Sequence, residues 1–250
     1  MKIVIIGSGN VAYHLSKAFC EKGIEISQIF ARNPTSLQAI AEELNIPSSS
    51  TDLAEADLYI IAVSDDAVHK VSKLITNENA LVAHTSGSLP KEILSGSFRK
   101  ASFYPLQTFS KTKSLNYDEI PFFIEAENLA DENLLQLLAE KISHNVMVSN
   151  YEKRKYIHLT AVFSCNFVNH LFARAKEISD SQDIPFHYFL PLIDETVKKI
   201  HTMEPKNAQT GPAVRNDQSI LQRHEELIHD EEQLKIYKTI NESIKKMYEL

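Results

Sequence analysis

Four polar side chains recur in an otherwise apolar stretch of this sequence: Lys155, His158, Asn166 and Asn169. At about 100° per residue they fall within one stripe of roughly 80° on a helix spanning 152–180. Most of the rest of that helix is apolar, among it Ile157, Val162, Phe163, Phe167 and Leu171, as suits a core or a surface shared between subunits. Burying four polar groups without a purpose is expensive. These types together can orient a carbonyl or imine and hand it a proton. His158 is the first candidate donor, because imidazole ordinarily titrates near neutrality. Lys155 is the second, if burial lowers its pKa, and Asn166 would orient either group. The same stripe can instead be scaffold that hydrogen-bonds the loops facing it.

A second set of residues could hold a ligand for that chemistry. The chain opens MKIVIIGSGNVA, an apolar β-branched run, a glycine turn and the start of an amphipathic helix. Strand, turn and helix are the context in which a GxGxxA pattern binds a dinucleotide. Gly7 permits the turn, Gly9 lets a pyrophosphate approach the backbone, and Ala12 lets helix pack on strand. Ser8, Asn10 and Val11 bring the free N–H groups of the first helical turn. At the end of the second strand, where an NAD site carries a carboxylate for the ribose 2′-OH, the sequence reads ARNPTS. Arg32, helped by Asn33, can meet a 2′-phosphate instead. The expected cofactor is therefore NADP, with NAD second.

These residues require a scaffold that brings strand ends together. Strands are expected at 3–6, 24–30, weakly at 46–51, and at 57–63, 81–83, 101–104, 120–125 and 145–148, alternating with helices. The alternation stops near residue 150, and nearly everything beyond reads as helix. The expectation is an α/β fold with a Rossmann-type doubly wound parallel sheet over 1–150 and an all-helical domain over 151–250. Ligands of such sheets sit beyond the carboxyl ends of the strands. That places Val63 and Ser64 at the end of one strand, and His84 and Ser86 in the HTSGS loop after another, at the cofactor. Ser86 is a candidate catalytic hydroxyl. Farther on, Asp217 and His224 share a helical face, and Arg215 can clamp an anion or simply pair at the surface. Residues 225–250 read as one charged amphipathic helix.

Composition narrows the alternatives. The 250 residues are 43% hydrophobic and 24% charged, with a net charge of −7. Neither half has the basic excess that nucleic acid or an anionic membrane would attract. Cys20 and Cys165 lack metal-ligand spacing and sit in apolar helical patterns, so buried, reduced thiols and no metal site are expected. The first strand begins at once, without room for a leader, and no apolar run is long enough to span a bilayer. A soluble cytoplasmic protein is the expectation.

GSGNVA, DLYIIAVSDDAV, HTSGS, YPLQTF and TGPAVRND together resemble a bacterial family joining a Rossmann-like NADP-binding domain to a helical C-terminal domain of unknown function. The resemblance covers essentially the whole chain. One departure stands out: that family usually has histidine before Pro105, where this chain has Tyr104, whose hydroxyl can also donate. More distantly the arrangement is similar to pyrroline-carboxylate reductases, ketopantoate reductases, and 6-phosphogluconate and β-hydroxyacid dehydrogenases. The β-hydroxyacid enzymes pair a lysine with an asparagine four residues later, whereas here Lys155 is followed at that spacing by Leu159. These likenesses imply hydride transfer between NADP and a small polar carbonyl, imine or alcohol, in a 6-phosphogluconate-dehydrogenase-like homodimer with intertwined C-terminal helices. They leave open whether a deazaflavin takes the second hydride role. The competing reading is an NADP-binding sensor or scaffold without turnover.

Overall fold

The computed structural model describes residues 1–250. Residues Met1–Asn166 form one compact unit and Phe167–Leu250 a second.

The first unit is built on an eight-stranded sheet. Its strands are β1 (Ile3–Ile6), β2 (Gln28–Phe30), β3 (Ser48–Ser49), β4 (Leu58–Ile61), β5 (Leu81–His84), β6 (Arg99–Pro105), β7 (Phe122–Ala126) and β8 (Val146–Val148), in the order 3-2-1-4-5-6-7-8. The central strands are buried apolar runs such as IVII and LYII, as strands covered on both faces must be. Helices α1 (Asn10–Glu21), α2 (Pro34–Leu44) and α4 (Leu129–Glu140) bury Leu15, Phe19, Leu37, Ile40 and Leu135 in one core with Ile5, Ile29, Ile60 and Phe103. Helix α3 (Asp65–Ser72) brings Val68 and Val71 into a second core with Val4, Ile6, Ile61 and Val82. Each such side chain, fully buried, contributes about 1.5–3 kcal/mol.

The expected parallel sheet needs one correction, because β6 and β7 pair antiparallel, Phe103 opposite Ile124. A parallel return needs a crossover, usually a helix. Residues 106–121 hold only a single 3-10 turn, Tyr117–Glu119, so the chain comes straight back. The same register aligns a polar row on the second face. His84, Ser102 and Glu125 lie side by side on β5 to β7, next to the apolar Ile61 of β4. Helix α5 (Tyr151–Ala161) belongs to this unit and buries Arg154 completely.

The single long helix expected over 152–180 is interrupted. Between α5 and α6 (Phe167–Ser181) runs one π-helical turn, Val162–Asn166. A π turn holds an extra residue, so positions beyond it rotate by about 100° relative to a continuous α-helix. The run from Lys155 to Asn169 is therefore not one continuous α-helix.

The second unit holds α6, α7 (Leu190–Lys199), α8 (Pro205–Ala208), α9 (Gln218–Leu227) and α10 (Glu231–Met247). The expected helix over 225–250 breaks between α9 and α10. The Asp230 carboxylate caps α10 by accepting from the Gln233 N–H. Cys20 and Cys165 are exposed rather than buried, each lying on the outward side of its helix. No helix is long and apolar enough to cross a membrane.

Candidate active site

The glycine turn follows β1 at the carboxyl edge of the sheet. Gly7 has φ +138°, and a Cβ there would stand 2.1 Å from the Ala62 carbonyl oxygen, so only glycine fits. Gly9 is different: a Cβ on it would meet nothing within 4 Å, which leaves open space over the start of α1. No side chain caps α1 and its first turn has no acidic residue. Its first N–H groups are thus free to hold an anion. Ala12 is fully buried, with its Cβ 3.5 Å from the position a Gly7 Cβ would take.

Two clefts open on this turn. One, of about 330 Å³, is lined by Ser8, Gly9, Asn10, Val11, Val63 and Ser64. The other, of about 200 Å³, is lined by Gly7, Ser8, Ala31, Arg32, Asn33 and Val63 among others. Ser8 and Val63 belong to both, so the clefts adjoin. The expected cofactor residues that follow β1, β2 and β4 are gathered here, and the open space at Gly9 suits a dinucleotide backbone. The side chains of two of them are already engaged. Asn33 Oδ1 accepts from the Ser36 N–H at 3.1 Å and caps α2, while Asn10 Nδ2 donates to the Phe109 carbonyl at 2.9 Å.

His84 lies beneath the HTSGS loop. Its side chain is fully buried in the polar row, and its Nδ1 accepts from the Ser86 N–H at 3.2 Å. Burial, reinforced by the charge of Arg154, pushes its pKa down to about 3, so the ring is neutral. It shapes the HTSGS loop from below. Ser86 is half-buried, and its Oγ accepts from the Ser88 N–H at 3.0 Å, which leaves the hydroxyl proton available.

The loop, β6 and α5 meet at three residues. The Tyr104 hydroxyl lies 3.0 Å from His158 Nδ1, with the rings edge to face at 6.0 Å. Gly87 fits between them: a Cβ there would lie 2.6 Å from Tyr104 Cζ and 2.9 Å from His158 Cβ. Burial pushes the Tyr104 pKa up to about 12, while Arg154 opposes the shift and Asp65, next to the cleft residue Ser64, adds to it. Tyr104 therefore keeps its proton and donates to His158 whenever Nδ1 of the imidazole is unprotonated.

Lys155 is not part of this meeting. Its ammonium pairs with Glu152 at 2.6 Å and lies 5.6 Å from the rings of Tyr151 and Tyr156. Glu152 raises its pKa, the opposite of the lowering a proton donor would need. Asn166 is exposed on the π turn, and Asn169 is exposed on α6 in the second unit. There Asp217 caps α9 by accepting from the Ile220 N–H, and His224 Nδ1 bonds the Tyr237 hydroxyl at 2.9 Å. Arg215 is exposed.

The line of α5 that faces the sheet runs through Arg154 and His158, four residues apart. Arg154 Nη1 donates to Glu125 at 2.5 Å and Nη2 to the Leu89 carbonyl at 2.7 Å. Lys91 reaches the same carboxylate at 3.1 Å. This buried cluster ties α5 to the strand carrying Glu125 and to the end of the HTSGS loop. Reading the residues as a stripe through Lys155 missed it. The available signals were an acidic residue ending the apolar run PFFIE and an arginine one turn before His158.

A mostly parallel sheet ending in a glycine turn below an uncapped helix defines a Rossmann-type nucleotide-binding fold. The sequence narrows the class. Residues 120–244 match the domain of unknown function DUF2520, and residues 2–86 match the family described as NADP oxidoreductase, coenzyme F420-dependent. This chain belongs to the DUF2520 family. It is 40% identical to BF3122 of Bacteroides fragilis, described as a "putative NADP oxidoreductase", with 100% of this chain and 98% of that one covered at a TM-score of 0.92. TM1727 of Thermotoga maritima, 23% identical with 99% and 100% covered, has a TM-score of 0.83. The pyrroline-5-carboxylate reductase of Coxiella burnetii shares the fold at 14% identity and a TM-score of 0.58, with 99% and 97% covered. No curated protein matches the chain.

Proposed function

We propose that this protein is an NADP-dependent oxidoreductase acting on a small polar carbonyl, imine or alcohol, with Tyr104 and His158 as its proton-transfer pair. The observation that carries the reading is the 3.0 Å contact between the Tyr104 hydroxyl and His158 Nδ1 beside Gly87. A bound nicotinamide supplies the hydride. Tyr104 holds a proton at its phenolic oxygen across the physiological range and releases it only to a strongly basic acceptor, such as the oxygen or nitrogen of a group whose carbon has accepted a hydride. His158, half-buried on α5, takes up a replacement proton from solvent and returns it to the Tyr104 oxygen from Nδ1–H. Ser86 directs its remaining O–H at the same substrate atom, and Asn166 orients the substrate. Lys155 is left outside the proton path. At the other end, Arg32 receives the 2′-phosphate that separates NADP from NAD.

The second unit supports a homodimer. Of residues 167–250 only Ser179, Ala213 and Leu221 are buried, while Leu171, Ile178, Leu190, Leu192 and Val197 are exposed. Helices hold together by burying an apolar stripe, and a second copy of this chain is the partner that completes the core. Light scattering should give twice the chain mass at micromolar concentration. We place the protein in the cytoplasm, in keeping with its two free thiols.

The function is tested with full-length protein, NADPH and a panel of small ketones and cyclic imines, following the absorbance of the reduced nicotinamide. Turnover with at least one class is expected. Tight NADPH binding with no reduction across the panel, and no oxidation of the matching alcohols and amines with NADP, would favour a sensor without turnover.

A further inference from the structure

Three consecutive residues of the segment between β6 and β7 grip the glycine turn and the start of α1. The Phe109 carbonyl accepts from Asn10 Nδ2 at 2.9 Å, the Ser110 carbonyl lies 2.9 Å from His14 Nε2, and Lys111 Nζ donates to the Ser8 carbonyl at 2.9 Å. Two of these contacts clasp the loop to α1. The third brings a full positive charge to the turn.

The position of that charge matters because Ser8 lines both clefts. A dinucleotide with its 2′-phosphate at Arg32 and its nicotinamide beyond Ser64 must cross from one cleft to the other at Ser8. Its pyrophosphate lies at the crossing. Two phosphate charges there meet the uncapped start of α1, but the lysines of α1 and its C-cap are engaged elsewhere. Lys17 is held by Tyr13 and Glu43, and Lys22 by Asp118. Lys111 is half-buried and uses one of its three N–H groups on Ser8. Two remain for phosphate oxygens.

We propose that Lys111 is a cofactor ligand whose ammonium binds the pyrophosphate of the dinucleotide at Ser8. The proposal rests on the dinucleotide reading above. It separates two cationic roles on one ligand: Arg32 distinguishes NADP from NAD, whereas Lys111 serves both alike.

Calorimetric titration of the full-length protein with NADP and with NAD tests it in wild type, Lys111→Met, Lys111→Gln and Arg32→Ala. Lys111→Gln retains a donor for the Ser8 carbonyl but removes the charge. Loss of a charge-assisted contact should weaken NADP and NAD by the same factor, roughly ten-fold or more, in both Lys111 variants. Arg32→Ala should weaken NADP alone. Wild-type affinities in both Lys111 variants would overturn the proposal and leave Lys111 a clasp of the loop. A loss confined to NADP would also overturn it, by moving Lys111 to the 2′-phosphate. Failure of the wild type to bind either dinucleotide would instead remove the reading on which the proposal stands.

Discussion

Arg154, completely buried, donates to the Glu125 carboxylate at 2.5 Å, and the two come from elements that adjoin only in the folded unit. Neither charge has water to fall back on. Removing Glu125 strands the buried Arg154, which costs about 3–5 kcal/mol for buried pairs, whereas Glu125 without Arg154 still has Lys91. Glu125→Gln should therefore lower the urea midpoint steeply. The double variant Arg154→Met, Glu125→Leu should recover much of the loss, because replacing a buried pair with apolar groups is often near neutral. Additive losses in the double variant would show that the two act independently.

Tyr104→Phe removes the phenolic oxygen and keeps the ring, which packs 6.1 Å from Phe123. General acid catalysis contributes about 10²–10⁴-fold, so kcat should fall by that order on any substrate the panel identifies. NADPH affinity and the melting temperature should stay near wild type. An unchanged kcat would move the proton donor away from Tyr104.

Gly7 and Gly9 should respond differently to alanine. At Gly7 the added methyl meets the Ala62 backbone at 2.1 Å and φ is +138°, so about 1–3 kcal/mol or more of stability should go. At Gly9 the methyl enters open space. Gly9→Ala should melt with the wild type yet bind NADP poorly, since its methyl stands where phosphate must approach. Calorimetry of both variants, by melting and by titration, separates the two roles.

His84 makes stability depend on pH. Its folded pKa, about 3, lies below the ordinary 6.5 of the unfolded chain, because burial and then Arg154 disfavour the charged ring. As pH falls, the unfolded chain takes up this proton first. The contribution is neutral above about 6.5 and becomes destabilising between about 6.5 and 3, by up to 1.4 kcal/mol per pH unit. His84→Asn, which keeps an acceptor for the Ser86 N–H, should flatten the slope of unfolding free energy against pH by one proton. Equal slopes in the two proteins would mean that His84 is not held neutral.

Much of this protein follows from local sequence. Gly7-Ser8-Gly9 between IVII and an amphipathic helix specifies a strand, a turn and an open helix start, because the φ angle of Gly7 and the apolar period are local properties. The Asp217 cap is local in the same sense. The tertiary structure decided the rest. A π turn at Val162–Asn166 interrupts the helix, so an arithmetic of 100° per residue does not carry across it. His158 finds Tyr104 rather than Lys155, across 54 positions of sequence, and Arg154 finds Glu125 across 29. These pairs depend on β7 turning back antiparallel and on which line of α5 lies against the polar row of the sheet. Period and spacing place a side chain on a face of its own element, whereas its partner is set by which strand that face comes to cover.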